Sequence, residues 1–191
     1  MAMRKSILHL VKVMGGLAGM MTKITEDSPE YYALNCLTDE EADVAASLGL
    51  RKPRTLEYVA DKCVKSTEVT KKILDRLGHL GVIKIYTEDG QTLYFMQIFA
   101  PGTLEMMVGC TENVKEHPEI AKAFEAYTRG LMASMGTMLP YGASMMRVIP
   151  IESAIAGDSQ AIPYEKISYY LDKYDTFSVS PYSCRRSRLS L

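Results

Sequence analysis

In the first 37 residues the apolar positions Ile7, Leu10, Val11, Met14, Leu17, Ala18 and Met21 fall on one helical stripe. This pattern predicts an amphipathic helix that packs on the body of the protein or on a partner. Arg4 and Lys5 ahead of an apolar run also fit a secretion signal. His9 and Lys12 break that run, however, and it is too short to span a bilayer. Ser28 and Pro29 suit the cap and first turn of a short helix through Tyr32. Thr38 and Glu41 have the spacing of a capping box, opening a helix to about residue 48, where Gly49 ends it.

The next block is the most legible. After a connector with Pro53, TLEYVADKC reads as a short helix carrying Leu56, Val59 and Ala60. Ser66 caps a second helix whose apolar residues Val69, Ile73, Leu77 and Leu80 form one face, and Gly81 stops it. Two β-rich runs, VIKIY and TLYFMQI, flank Asp89-Gly90, the dipeptide of a tight hairpin. Three helices followed by a hairpin within about 60 residues is the order of a winged-helix domain, with a helix-turn-helix over 60–80 and the hairpin as its wing.

Past residue 100, PGTLEMMVGC predicts a short apolar helix. HPEIAKAFEAYTRGL predicts a second one, with Pro118 in its first turn and Ile120, Phe124, Tyr127 and Leu131 on one face. The Gly- and Met-rich stretch 132–146 has no clear period and reads as a loop lying across something apolar. MRVIPIESAI reads as a strand, a helix is expected from Pro163 with Tyr164, Ile167, Leu171 and Tyr174 inward, and TFSVSPY reads as a last strand. The fold expected is α+β and mostly helical. It comprises an N-terminal helical segment (1–37), a winged-helix domain (38–100) and a helical and α/β extension (101–191) that leads into a truncated iron–sulfur-like segment.

Composition adds little to this until it is localised. The 191 residues carry a net charge of −1, which excludes a polybasic nucleic-acid binder. Over 51–86, however, nine Lys/Arg face only four Asp/Glu, a local net of +5. The positions suited to meeting phosphates are Lys65, Lys71, Lys72 and Arg76 on and beside the second helix of the pair, which would be the recognition helix of a DNA-binding regulator. Glu68, Asp75 and the acidic hairpin tip Glu88-Asp89 oppose that role, and the helix offers no Asn or Gln to read bases. A solvated face or a protein-docking module explains the same lysines.

No nucleophile–base arrangement or phosphate loop is legible, so no catalytic residue is assigned. The cysteines Cys36, Cys63, Cys110 and Cys184 are widely spaced, giving neither a disulfide framework nor a closed metal motif with the scattered histidines. A reducing, cytoplasmic setting follows from that spacing. Cys36, Cys63 and Cys110 sit among apolar residues and read as buried small hydrophobes. Cys184 differs, because Arg185, Arg186 and Arg188 follow it and would favour its thiolate. The alternative for Cys184 is a loose basic tail.

The order of LTDEEADVAASLGLRKPRTLEYVADKC, VIKIY…YFMQIFAPGTLEMMV, EHPEIAKAFEAYTRG, MRVIPIESAI and YEKISYYLDKYDTFSVSPYSCRRSR resembles the N-terminal region of a known family. These are the large iron–sulfur flavoprotein oxidoreductases of anaerobic bacteria, of the glutamate-synthase-small-chain-like type, together with related ferredoxin-domain proteins. The resemblance covers nearly all of the chain from Thr38 onward. It implies that Cys184 corresponds to the second of two cysteines separated by one residue, and that the first falls on Tyr182, which cannot ligate a cluster as a thiolate does. Also implied are a 4Fe-4S cluster and an FAD in the longer parent protein. The partners implied are a redox protein or further C-terminal domains, with no membrane. On this reading the chain is an accessory, docking region of an electron-transfer oxidoreductase without a complete cluster site. The rival expectations are the DNA-binding regulator and a plain protein–protein adaptor.

Overall fold

A computed structural model describes residues 3–15, 23–138, 167–177 and 182–189 of the chain. It is α+β and mostly helical, and it divides into two compact units, Met1–Met132 with Pro181–Leu191, and Ala133–Ser180.

Helix α1, Lys5–Met14, buries Ile7, Leu10, Val11 and Met14, as the stripe predicts, and packs chiefly on α3. The rest of the stripe, Leu17, Ala18 and Met21, lies outside the described residues. Polar contacts fix the start of α1. The Arg4 backbone N–H donates to the Tyr31 hydroxyl at 2.7 Å, and its guanidinium pairs with Asp39 at 2.9 Å. The Ser6 hydroxyl donates to the same carboxylate, and these bonds hold the Asp39 carboxyl below its usual range. Helix α2, Pro29–Leu34, has proline in its first turn as expected. Its N-cap Ser28 does not cap the helix, however: the hydroxyl turns back to accept from Thr25 N at 2.9 Å.

Helix α3, Asp39–Leu48, opens with the predicted capping box. Glu41 N donates to Thr38 Oγ1 at 3.1 Å, and Thr38 N donates to Glu41 Oε2 at 2.8 Å. Gly49, at φ +71°, ends it. Helix α4, Leu56–Cys63, starts on Thr55 and ends at Val64, which is left-handed at φ +53°. Helix α5, Thr67–His79, starts on Ser66, whose hydroxyl accepts from Val69 N.

The inward face of α5 is rotated from the one expected. Val69 is 44% exposed, whereas Thr70, Leu74, Leu77 and the C-cap Leu80 are buried. Thr70 can occupy the core because its hydroxyl donates to the Ser66 carbonyl at 2.9 Å, leaving its methyl to pack. Scoring positions by apolar type alone skips such a residue.

Strands β1, Lys84–Glu88, and β2, Gln91–Phe95, pair antiparallel with Glu88 opposite Gln91. Asp89 and Gly90 both have positive φ, the geometry of a two-residue type I′ turn. The connector before α4 also joins the hairpin. Arg54 exchanges both backbone hydrogen bonds with Tyr94, at 2.9 and 2.8 Å, and Arg51 N donates to Met96 O.

An irregular turn over Phe99–Thr103 leads into α6, Leu104–Gly109, then α7, Thr111–Glu116, and α8, Glu119–Met138. Helix α7 has no counterpart in the sequence reading. Helix α8 continues through 132–138, where a loop was expected. Alanine and methionine are good helix formers, two glycines are tolerated, and the first strong breaker is Pro140. The remainder of that loop, the strand beginning near 146 and the start of the helix at Pro163 lie outside the described residues, as does 178–181 of the last strand.

One apolar cluster runs across both expected domain boundaries, joining Ile7 and Leu34 to Leu48, Leu77 and Met96 and onward to Leu104 and Phe124. Gly81, at φ +79°, brings the chain against α6; a Cβ there would stand 2.6 Å from the Met106 carbonyl carbon. The buried amide of Asn113 then ties α7 to its neighbours, donating to Leu80 O and Met107 O.

In the second unit, helix α9, Ile167–Lys173, has no buried residue. Ile167, Leu171 and Tyr174, expected inward, are exposed. Helix α10, Ser183–Leu189, belongs to the first unit and packs on α6. Cys184 therefore lies on a helix that starts one residue after the stretch read as the last strand, and not in a loose basic tail. Among the described residues no helix is long and apolar enough to cross a membrane.

Candidate functional site

Two regions carry the residues singled out from the sequence: the α4–α5 pair and α10. On and beside α5, all four candidate phosphate-contacting cations have a carboxylate partner. Lys65 pairs with Glu40, Lys71 with Asp75 at 2.6 Å, and Lys72 with Glu68 at 3.1 Å. The hydrogen bonds to Glu40 and Asp75, and then the charge of those carboxylates, raise the pKa values of Lys65 and Lys71. The two pairs within α5 are one helical turn apart and lie in solvent, where such contacts are weak and readily exchanged.

Arg76 is different. Its Nε donates to Glu41 Oε1 at 2.6 Å, and Glu41 is only 6% exposed. The other Glu41 oxygen closes the α3 capping box, so one buried carboxylate joins the start of α3 to the last turns of α5. Arg76 is thus a structural cation, since withdrawing it would leave that carboxylate without its counter-ion. The capping box was legible in the sequence. The Arg76 partner, 35 residues away, carried no local signal.

Beside this ion pair lies Cys36. Its thiol donates to Ala33 O, and burial, reinforced by nearby Glu119, pushes its pKa up to about 12. Cys36, Cys63 and Cys110 are half-buried, less enclosed than expected, and Cys184 is exposed. Of the histidines, His79 is exposed and faces Glu112 at 3.1 Å, and His117 caps α7. His9 helps line an open cleft of about 650 Å³ together with Glu40, Asp43, Lys62, Cys63 and Lys65.

On α4 and the connector before it the cations are arranged differently. The Arg54 guanidinium carbon lies 4.1 Å from the centre of the Tyr58 ring, and Lys62 Nζ lies 5.6 Å from it. Arg54, Tyr58 and Lys62 recur every fourth residue, a spacing visible in the sequence but not among the cations expected to meet phosphates.

On α10, the Ser183 hydroxyl donates to the Glu105 carbonyl at 3.3 Å, and Arg188 stands 3.9 Å from Glu125 of α8. Tyr182 and Cys184, the two positions that the resemblance aligns with a cysteine pair, are adjacent in space. The hydrogen bond to the Cys184 sulfur raises the Tyr182 phenol above its usual range. A 4Fe-4S cluster needs four thiolate ligands. Among the described residues no three His, Cys, Asp or Glu side chains converge as a metal-holding group, so these residues offer a cluster one thiol and do not build its site.

No family model matches the chain, and neither does any curated protein or solved structure.

Proposed function

We propose that this chain is the N-terminal accessory and docking region of an iron–sulfur electron-transfer oxidoreductase, built around a winged-helix domain. The winged-helix reading draws on the order α3, α4, α5, β1, β2 and on the backbone bridge between Arg54 and Tyr94, which sets the connector before α4 along the hairpin. The observation that carries the docking reading is the seating of α10. Ser183 and Arg188 hold this helix on α6 and α8 with Cys184 facing solvent, as a scaffold would present one thiol to an incoming cluster domain. Arg185 and Arg188 alongside would offset the negative charge of a thiolate-bound cluster.

The test begins with reading the native gene beyond the codon for Leu191. The proposal expects the frame to continue into clustered cysteines. It also expects the anaerobically purified full-length product to show a cluster signal by electron paramagnetic resonance that Cys184→Ser alters. An immediate stop codon, or an unaltered signal, would overturn it.

A second reading is duplex-DNA binding by α5, favoured by the solvent exposure of Lys71, Lys72 and Arg76 on one helix. It requires salt-dependent retardation of a duplex that weakens in a Lys71→Ala, Lys72→Ala variant. The carboxylate partners described above weigh against it.

A further inference from the structure

The basic segment 51–86 separates into two kinds of cation. Lys65, Lys71, Lys72 and Arg76 are paired with carboxylates. Among the described residues, Arg51, Lys52, Arg54, Lys62 and Lys84 have no carboxylate partner, and all of these but Lys84 of β1 lie on the connector and on α4. Within that group, Arg54 is unusually well fixed. Its backbone is bridged to Tyr94 in both directions, its guanidinium stacks on Tyr58, and its Nε donates to Leu48 O at 3.4 Å. A guanidinium held in this way keeps its two terminal nitrogens for an outside acceptor, with little side-chain freedom left to lose on binding.

We propose that Arg54, Tyr58 and Lys62 form the docking surface of this module, and that its occupant is an acidic, Asp/Glu-bearing segment of a partner protein. This deepens the docking reading above and rests on it. Three features favour a carboxylate-bearing peptide over a nucleic acid. Both flanking cations already engage the Tyr58 ring, which removes it as a platform for stacked bases. Glu57 and Asp61 occupy the adjoining row of α4, where they would repel the fixed, evenly spaced phosphates of a rigid duplex, whereas a flexible acidic peptide can seat one carboxylate on the Arg54 fork and turn its others away. Lastly, Val64 ends the same helix 93% exposed and in a left-handed conformation that a β-branched residue rarely adopts. It offers the partner an apolar contact beside the cations, which a phosphate backbone would not use.

The test uses the full chain and a fluorescein-labelled octaglutamate peptide, followed by anisotropy at low and at physiological ionic strength. The surface predicts binding that weakens with salt. Arg54→Gln with Lys62→Gln should lower affinity about tenfold, the scale of one charge-assisted contact. Lys71→Gln with Lys72→Gln removes the same charge from α5 and should change affinity less than about twofold. Arg54→Lys keeps the charge but loses the fork, and should fall between the two. Thermal melts of each variant identify any that fail to fold, and Arg54→Lys then serves in place of the double variant.

The inference is overturned if the wild-type chain does not bind the peptide, if the two double variants weaken equally, or if mixed-sequence duplex DNA of equal charge displaces the peptide. Each of these results would leave the cluster signal of the full-length protein unaffected, so failure here is distinguishable from failure of the iron–sulfur reading.

Discussion

Helices α4 and α5 are consecutive, both basic at their ends, and each is followed within two residues by a positive-φ residue, Val64 and Gly81, yet the structure uses them in opposite ways. Helix α5 is bound inward. Its Thr70, Leu74 and Leu77 are buried, its Arg76 is held by a buried Glu41, and its exit at Gly81 is pressed against the backbone of α6. Helix α4 buries only Val59 and Ala60, gathers Lys62 and the preceding Arg54 on its own tyrosine, and exits through Val64 into solvent. Local sequence charge was therefore a poor guide to accessible charge. The more lysine-rich helix is the one whose charges are compensated.

The largest expected effect comes from the contrasting helix ends. Gly81→Ala combines a left-handed alanine with a Cβ 2.6 Å from the Met106 carbonyl carbon. It should destabilise the protein by about 3 kcal/mol, measured from urea midpoints. A loss well below that would mean that α6 is not held against the end of α5.

Glu41→Ala should cost about 2 kcal/mol, because it opens the capping box and strips Arg76 of its partner. If the cost matches that of an ordinary exposed cap, the α3–α5 link is not energetically coupled and the two helices are more alike than they look.

Val64→Gly should act in the opposite direction, raising stability by about 1 kcal/mol by relieving a strained left-handed valine with no packing to lose. Pairing it with a binding measurement sharpens the contrast. The docking surface predicts a more stable protein that binds the acidic peptide less well.

The smallest effect concerns thiols. Cys36, half-buried beside the Glu41–Arg76 pair and shifted up to about 12, should resist iodoacetamide at pH 8. The exposed Cys184 should be labelled first, as read by mass spectrometry of digests over time. Rapid labelling of Cys36 would show that the α3–α5 junction opens readily.

The local chemistry of the chain determined much of this protein. The α1 stripe, the Thr38–Glu41 capping box, the stops at Gly49 and Gly81 and the Asp89-Gly90 turn were all legible, because each depends on residues within one turn or one hairpin of each other. The candidate site was legible only as a list of cations and one cysteine. Pairing of Lys65 and Arg76 with Glu40 and Glu41 joins residues 25 and 35 positions apart, and only the packing of α5 against α3 brings them together. The same packing chose Thr70 over Val69 for the core, since burial follows the neighbouring surface and a threonine that bonds its own helix fits there. The inward face expected for α9 failed for the same reason, since periodicity marks an apolar stripe and a stripe is buried only where another element meets it. Sequence set the elements and their ends. Tertiary structure decided which charges remain uncompensated, because electrostatic pairing acts through space and helix spacing records only neighbours along the chain.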